Sequence, residues 1–246
     1  MVTGAGAGIG RGCALELAAC GARIVVNDKP GAGSAARVAD EARRLGVESL
    51  AVEADVFELA GAEQLVSTVL EQWQRIDILV SCPASSIRKP FVEYDSNEFL
   101  HTVNATFLSH ANLARLVARH MVARGGGGKI LFISSIRSFL PFARSAAYNA
   151  AKAALNQMAF TMANVLAGHR LNVNVIEPGW IDTAGERLFA SDAELQAVAP
   201  TLPWGRLGTA DDIGKAAAFL VSDEADYITG ASLRVDGGIW MRNLCR

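Results

Sequence analysis

Short apolar runs rich in β-branched residues alternate along the chain with longer stretches that have helical spacing. The apolar runs predict buried strands at 22–28, 49–55, 77–82, 128–135, 171–179 and 232–238. The helical stretches lie at 9–20, 33–45, 58–74, 95–123, 147–168 and 209–221. Continuous apolar runs are typical of strands that are covered on both faces. Their alternation with helices predicts right-handed βαβ crossovers, and therefore an α/β fold with a doubly wound parallel sheet flanked by helices.

The same pattern bears on domain organisation. It contains no repeat and no linker that would divide the chain, so we predict a single domain over 1–246. The irregular stretch at 179–208 interrupts the alternation, and we expect a substrate lid at about 180–208 because long loops in compact domains are commonly functional. Four glycines at 125–128 precede a strand rather than a helix, which favours a simple turn over a phosphate loop.

Composition excludes several classes of protein. The 246 residues include 23 basic and 25 acidic side chains without a basic stripe, so we expect no nucleic-acid partner. No apolar run reaches membrane-spanning length and no signal peptide is recognisable, which predicts a cytoplasmic protein without membrane contact. The cysteines and histidines lack metal-ligand spacing, so we predict no metal site and interpret Cys13, Cys20, Cys82 and Cys245 as reduced thiols.

The chain opens with a glycine-rich stretch, MVTGAGAGIGRG, between a predicted strand end and a predicted helix. Glycines at such a turn let the backbone approach a ligand, and the free N–H groups at a helix start bind an anion. The spacing fits TGxxxGxG rather than GxGxxG, and it predicts a turn that holds the pyrophosphate of a dinucleotide. The residues of this turn are Thr3, Gly4, Gly8, Ile9 and Gly10.

An acidic residue ends the second predicted strand. Asp28 lies at about the twenty-residue offset expected for a carboxylate on the adenosine ribose hydroxyls. A carboxylate there favours NAD and repels the 2′-phosphate of NADP, so we predict NAD as the cofactor. The neighbouring Lys29 opposes this preference, and the alternative interpretation makes Asp28 an ordinary turn residue.

A second group of polar residues lies in the middle of the chain. Tyr148 and Lys152 are four residues apart and share one face of a predicted helix. A nearby ammonium favours the phenolate, which gives an acid/base couple for a hydroxyl or carbonyl group. Ser135 ends a strand thirteen residues upstream, where its hydroxyl points into the ligand crevice, and Asn104 lies on the preceding helix. The alternatives are an exposed Tyr–Lys pair and an asparagine that satisfies local backbone groups.

Essentially the whole chain resembles the short-chain dehydrogenase/reductase family, in its single-domain branch. The resemblance rests on TGxxxGxG, Asp55-Val56, the Asn/Ser/Tyr/Lys set, Pro178-Gly179 and the terminal DGG at 236–238, in family order. The segment 202–240 is similar to bacterial members labelled glucose dehydrogenase or 3-oxoacyl carrier-protein reductase. The resemblance implies a Rossmann-type sheet, a nicotinamide cofactor, a homotetramer, and NAD(H)-dependent interconversion of a secondary alcohol and a ketone by hydride transfer.

The family's residue roles carry over by position. The resemblance implies that Tyr148 is the acid/base, that Lys152 lowers its pKa and holds the ribose, and that Ser135 polarises the substrate oxygen. It further implies that Asn104 holds a water molecule in the proton relay. Asp55 and Val56 are expected to flank the adenine. The residues expected to line the nicotinamide and diphosphate are Pro178, Gly179, Ile181 and Thr183.

Two departures from the family pattern stand out. The family's NNAG segment is replaced by SCPA at 81–84, where Pro83 has no N–H group beside the expected cofactor ribose, and weaker cofactor binding is one consequence left open. Only Met1 and Val2 precede Thr3, so we expect a short first strand with unpaired backbone groups on its neighbours, and a start codon assigned too late.

The substrate is less well specified by the sequence. The residues predicted to contact it are Arg137, Phe142 and Trp180, within a wider set formed by Arg88, Ile136, Ser138, Arg144 and the 184–204 segment. Arginines at a pocket rim favour a carboxylate, a phosphate or a polyol, although they are equally typical of solvent-facing loops. Two functions remain open: an alcohol/carbonyl oxidoreductase acting on a small molecule, and a non-catalytic NAD-binding sensor or scaffold on the same fold.

Overall fold

A single parallel sheet of seven strands forms the centre of the computed structural model, which describes residues 1–31 and 33–241. The strands are β1 (Val2–Thr3), β2 (Ile24–Asp28), β3 (Ser49–Glu53), β4 (Ile78–Ser81), β5 (Gly128–Ile133), β6 (Leu171–Pro178) and β7 (Ser232–Val235). Their order in the sheet is β3-β2-β1-β4-β5-β6-β7. Strands β2 and β3 are therefore added on one side of β1 and β4 to β7 on the other, as in a doubly wound sheet. The predicted fold class is confirmed.

Helices cover both faces of the sheet and bury two apolar clusters against it. The helices are α1 (Gly8–Ala19), α2 (Ser34–Arg44), α3 (Leu59–Trp73), α4 (Ser96–Val103), α5 (Ser109–Arg124), α6 (Ala146–Leu166), α7 (Asp192–Val198) and α8 (Ala210–Val221). One apolar cluster packs α3, α5 and α6 against one face of the sheet, and the other packs α1, α2 and α8 against the opposite face. Cys245 and the rest of 242–246 lie outside the described residues.

Helices α1 and α8 meet backbone to backbone through two glycines. A Cβ atom on Gly12 would lie 2.5 Å from the carbonyl oxygen of Ala210, and one on Gly214 would lie 2.7 Å from the carbonyl oxygen of Gly12. Neither position accepts a side chain without moving the other helix. The helix that follows the glycine turn is therefore positioned by a helix two hundred residues further along the chain.

The first strand is short, as predicted, yet its neighbours are paired. Val2 pairs with Val26 of β2 and with Val80 of β4. Met1 extends the pairing, because its carbonyl oxygen accepts a hydrogen bond from the Val80 N–H at 2.9 Å and its nitrogen donates to the Ile78 carbonyl at 2.8 Å. The expectation of unpaired groups beside the short strand is wrong for β4.

Two predicted segments have more structure than the sequence suggested. The helix predicted at 95–123 is divided into α4 and α5 by a π-helical turn, Asn104–Leu108. The stretch 179–208 is not wholly irregular, because it contains α7, whose capping box joins Ser191 and Glu194. The sequence S-x-x-E at 191–194 is the signal that predicts such a helix start. No helix in the described part of the chain is long and apolar enough to cross a membrane.

Candidate active site

A deep cleft of about 1620 Å³ opens at the carboxyl edge of the sheet. Its walls are the glycine turn, the carboxyl ends of β2 to β6, the start of α6 and the segment 178–194. The cleft is continuous from the end of β2 to the start of α6. It therefore connects the glycine turn and Asp28 at one end with Ser135 and Tyr148 at the other. Carboxyl ends beside the reversal in strand order are the usual ligand site of such sheets.

The glycine turn has the shape of an anion cradle. Gly4 and Gly8 adopt positive φ angles of 61° and 52°, which residues with a side chain rarely tolerate. A Cβ atom on Gly10 would lie 2.2 Å from the Gly4 carbonyl oxygen. Helix α1 begins at Gly8 with no side-chain cap and no acidic residue in its first turn, so its free N–H groups are available to a ligand. Thr183 closes the turn from the opposite wall, since a Cβ on Gly8 would contact its methyl group at 3.4 Å.

Asp28 lies at the far end of the cleft, against the glycine turn. A Cβ atom on Gly6 would lie 1.9 Å from its Oδ2 atom, so the glycine makes room for this carboxylate. The Ser34 hydroxyl donates to Oδ2, and the Lys29 backbone N–H donates to Oδ1 at 2.9 Å. The carboxylate is thus fixed with both oxygens at the cleft wall, whereas no contact fixes the ammonium of Lys29 among the described residues.

Asn27 fixes this end of the sheet, and the sequence analysis missed it. Its side-chain amide is buried between β2 and β3 and donates to the carbonyl oxygens of Val52 at 3.1 Å and Ala54 at 3.0 Å. It thereby holds the ends of the two strands together beside Asp55 and Val56, which line the cleft as predicted. The signal was available, because a polar residue in an otherwise apolar strand must find a buried partner.

Tyr148, Lys152 and Ser135 are brought together at the other end of the cleft. Lys152 is buried, and its Nζ atom lies 5.6 Å from the centre of the Tyr148 ring. Burial lowers the pKa of Lys152 to about 8. The Ser135 hydroxyl accepts a hydrogen bond from the Arg137 backbone N–H at 3.2 Å, which orients it in the turn after β5.

The environment of Tyr148 contains a cation that the sequence analysis assigned only to the substrate. Loss of solvent raises the pKa of the Tyr148 phenol, while the charge of Arg137 and a hydrogen bond with Ser135 act in the opposite direction. The Arg137 guanidinium carbon lies 5.7 Å from the centre of the Tyr148 ring. Arg137 therefore favours the phenolate, an effect that the sequence analysis attributed to Lys152 alone.

Asn104 lies in the π-helical turn between α4 and α5. Its side-chain amide donates to the Phe57 carbonyl oxygen at 3.1 Å, so it satisfies a backbone group on the neighbouring loop. A π-helical turn inside a long helix frequently marks a functional position. The structure thus shows Asn104 bonded to a backbone carbonyl group, which is the alternative role that the sequence analysis gave for this residue.

The SCPA segment packs directly against the glycine turn. A Cβ atom on Gly4 would lie 3.2 Å from the backbone nitrogen and Cα atom of Pro83, so the backbone of this segment takes the space that a side chain on Gly4 would need. Ser81 and His110 are both buried and share a hydrogen bond of 2.7 Å between Oγ and Nδ1. Burial and the charge of Lys152 lower the pKa of His110 well below its usual value, so this pair is neutral. Burial also raises the pKa of the Cys82 thiol to about 11.

Residues of the segment 178–194 line the same end of the cleft as Ser135 and Tyr148. Gly179 packs so closely on Asp236 that a Cβ atom would lie 2.6 Å from the Asp236 Cα atom. Ile181 is buried and pairs with Gly208, and Thr183 accepts a hydrogen bond from the Glu186 backbone N–H at 3.3 Å. Pro178, predicted beside the cofactor, and Trp180, predicted beside the substrate, also line the cleft. The Trp180 indole N–H has no acceptor among the described residues.

Two ion pairs near this segment were missed by sequence reasoning. Arg88 makes a two-pronged contact with Glu186, at 3.1 Å for each nitrogen–oxygen pair, and its guanidinium stacks on Phe189 at 3.7 Å. Glu177 is buried in β6 and accepts hydrogen bonds from Ser138, Asn156 and Arg234. The Glu177 contacts hold the turn that carries Arg137, and a carboxylate at the end of an apolar strand was the available signal.

Comparison with known proteins agrees with this geometry. Residues 4–240 match the family model described as enoyl-(acyl carrier protein) reductase. A 2-dehydro-3-deoxy-D-gluconate 5-dehydrogenase of Pseudoalteromonas atlantica is 35% identical over 98% of this chain and 94% of that protein. An L-rhamnose 1-dehydrogenase (NAD(P)(+)) of Azotobacter vinelandii is 34% identical over 98% of this chain and 96% of that protein.

A solved structure shows the same likeness. A 7α-hydroxysteroid dehydrogenase in complex with NADH and 7-oxo glycochenodeoxycholic acid superposes with a TM-score of 0.91 at 33% identity, over 96% of this chain and 92% of that chain. These relatives are named as dehydrogenases, and none of them supports the sensor or scaffold alternative. The chain belongs to the short-chain dehydrogenase/reductase family and is an oxidoreductase of the alcohol dehydrogenase type that uses a nicotinamide cofactor.

Proposed function

We propose that this enzyme interconverts a secondary alcohol and a ketone with NAD as the cofactor and Tyr148 as the acid/base. The observation that carries the proposal is the single cleft that joins the glycine turn and Asp28 at one end to Ser135 and Tyr148 at the other, with Lys152 buried beside Tyr148. The whole of 1–246 acts as one catalytic domain, with 180–208 as its substrate lid.

The residues fit the proposed cofactor. Glycines with positive φ angles and an uncapped start of α1 hold the diphosphate, and the two oxygens of Asp28 accept hydrogen bonds from the adenosine ribose. Asp55 and Val56 flank the adenine, with Thr3 and Ile9 in the glycine turn. Thr3 Oγ1 is a buried oxygen without a partner among the described residues. Pro178, Gly179, Ile181 and Thr183 line the nicotinamide side. When bound, the nicotinamide accepts or supplies the hydride.

In the oxidation direction, the Tyr148 phenolate removes the hydroxyl proton of the alcohol, which allows the carbinol carbon to give up its hydride. Ser135 donates a hydrogen bond to the substrate oxygen and keeps it at the phenol. Lys152 stabilises the phenolate and binds the nicotinamide ribose. Asn104 holds a water molecule through which the proton leaves. In the reduction direction, Tyr148 returns the proton to the carbonyl oxygen.

NAD is favoured over NADP by the charge at the end of β2. The Asp28 carboxylate is fixed against the glycine turn, where the 2′-phosphate of NADP would meet like charge. Glu53 adds a second carboxylate nearby, because it accepts hydrogen bonds from the backbone N–H groups of Gly31 and Gly33. Arg11, a cation in the first half of α1, is paired with Glu41.

We further propose a homotetramer in the cytoplasm. Apolar side chains remain exposed on α4, on the π-helical turn after it and on α6, with Leu100 62%, Leu108 44% and Val165 64% exposed. Exposed apolar patches of this kind mark contacts between subunits. Light scattering at micromolar concentration is expected to show a tetramer, and a monomer would contradict the proposal.

The activity is tested with a panel of secondary alcohols, polyols and hydroxy acids in the presence of NAD. Formation of reduced nicotinamide is followed by its absorbance, and the same panel is repeated with NADP. We expect turnover of at least one class with NAD. Binding of NAD without turnover of any panel member would favour the sensor alternative, and absence of NAD binding would contradict the cofactor proposal.

A further inference from the structure

The charge balance of the reacting end of the cleft is incomplete. Arg88 and Arg137 both line this end, and their charges act on each other. Arg88 is matched by the two oxygens of Glu186 at 3.1 Å. Among the described residues, no carboxylate lies within ion-pair distance of the Arg137 guanidinium, and its one side-chain acceptor is the Ser145 hydroxyl at 3.1 Å. Arg137 is therefore a half-buried cation beside Tyr148 that no described carboxylate pairs.

Arg137 is also held in a fixed orientation. Its guanidinium carbon lies 4.8 Å from the centre of the Phe142 ring and 5.7 Å from the centre of the Tyr148 ring. Aromatic contacts on a guanidinium leave the edge, with its N–H donors, free for a ligand. Burial and the charge of Arg88 lower the pKa of Arg137, so the enzyme loses free energy by keeping this cation here without a counter-charge.

A planar carboxylate is the anion that this arrangement matches. Guanidinium edges bind carboxylates through two parallel hydrogen bonds, and one unpaired arginine balances one negative charge. A phosphate dianion would require a second cation fixed beside Arg137. Arg88 is occupied by Glu186, and Arg144 is exposed at the rim with no contact that orients its side chain among the described residues. Because Arg137 is 5.7 Å from the Tyr148 ring, the carboxylate must lie within a few bonds of the carbon that reacts at Tyr148.

We infer that the substrate is a short hydroxy acid, or the corresponding keto acid, whose carboxylate is bound by Arg137. This inference rests on the proposed function, because it names the substrate class of the same site. It assigns to Phe142 the role of a platform for the guanidinium and to Arg137 the selection of acids over neutral alcohols.

The test compares matched pairs that differ only in charge or nearly so: 3-hydroxybutyrate with 3-hydroxybutyramide, lactate with lactamide, and gluconate with sorbitol. Activity with NAD is measured as kcat/KM, and binding to the enzyme–NAD complex is measured by calorimetry. We expect the acid of at least one pair to be preferred by at least about 10-fold in the wild type. Arg137→Gln is expected to abolish this ratio, and Arg137→Lys to restore part of it.

The matched control is Arg119→Gln, which removes an exposed arginine on α5, outside the cleft, and should leave the ratio unchanged. The ratio within a pair is the readout because any general effect of Arg137 on Tyr148 cancels in it. Preference for the neutral members, a ratio that survives Arg137→Gln, or no binding of any acid overturns the inference. Turnover of neutral alcohols alone would leave the proposed function intact, whereas Arg137-dependent binding of acids without turnover would overturn only the proposed function.

Discussion

The Nζ atom of Lys152 donates a hydrogen bond to the carbonyl oxygen of Ile133 at 2.7 Å, inside the protein and beneath the cleft. This bond joins the middle of α6 to the last residue of β5, the strand that leads to Ser135. The ammonium is thereby fixed where burial lowers its pKa from 10.5 to about 8. The ammonium to which the proposed mechanism assigns stabilisation of the phenolate is thus kept in a place that disfavours its charge.

The first prediction concerns the stability cost of this lysine. Between about pH 8 and 10.5 the folded apo enzyme binds fewer protons at Lys152 than the unfolded chain, so stability rises with pH across that interval. The total rise is about 3 kcal/mol, from about 1.4 kcal/mol per pKa unit. Lys152→Met has no ammonium at this position and therefore lacks this rise in stability. The free energy of unfolding is measured with urea at about pH 7 and about pH 10. We expect the value for wild type, relative to that for Lys152→Met, to be higher at about pH 10 than at about pH 7.

Lys215→Met serves as the control, because Lys215 is exposed on α8. Its stability difference from wild type should stay constant over the same interval. A constant difference for Lys152→Met as well would mean that the ammonium is not desolvated in the folded state.

The second prediction concerns proton transfer. Tyr148→Phe removes the hydroxyl and keeps the ring between Lys152 and Arg137, so we expect kcat to fall by at least ~100-fold with cofactor affinity nearly unchanged. Steady-state kinetics and a cofactor-binding titration measure the two quantities. Tyr227→Phe, at a fully exposed tyrosine, is the control. Turnover within a few-fold of wild type would remove Tyr148 from the mechanism.

The third prediction concerns cofactor choice. Wild-type enzyme is expected to prefer NAD over NADP by at least ~10-fold in kcat/KM, which requires about 1.4 kcal/mol. Asp28→Asn keeps the size of the side chain and removes its charge, and Asp28→Ala removes both, so each should narrow or reverse the ratio. Asp40→Ala on α2 removes an exposed carboxylate outside the cleft and should leave the ratio unchanged. If wild-type enzyme prefers NADP, or if the Asp28 substitutions leave the NAD/NADP ratio of kcat/KM unchanged, then Asp28 is a turn residue only.

The fourth prediction concerns the segment over the cleft. The Arg88–Glu186 contact joins residues 98 positions apart and ties the segment 178–194 to the loop after β4. Glu186→Gln replaces a charged two-pronged contact with a neutral one. We expect the contact to lose about 1 kcal/mol, which raises the population of the open form of the segment about five-fold. Thermolysin cleavage near Leu188, which is 81% exposed, should accelerate accordingly, while the melting temperature changes little.

Asp226→Asn, which weakens an exposed ion pair with Arg170, is the control for this experiment. Equal cleavage rates in Glu186→Gln and wild type would show that other contacts keep the segment closed.

Much of the fold follows from local sequence patterns. Six strands and the main helices were predicted within a few residues, because apolar runs and helical periodicity are local signals. The meeting of Ser135 and Tyr148 in one cleft, with Lys152 beside Tyr148, also follows, since carboxyl ends of parallel strands share one edge of the sheet.

What the sequence could not show is contact between distant side chains. Arg88 and Glu186 carry no motif, and their pairing depends on how two loops approach each other in space. The same applies to Glu177 with Arg234, and to the position of Arg137 beside Tyr148. The π-helical turn at Asn104 was missed because a single additional residue in a helical turn leaves the apolar periodicity almost unchanged.

The glycine contact between α1 and α8 has a consequence for biosynthesis. Helix α1, which follows the glycine turn, is made at the start of translation, but the surface that positions it includes Gly214. A chain that ends before α8 leaves the Gly12 face of α1 uncovered. We therefore expect the proposed cofactor to stabilise finished molecules over truncated translation products.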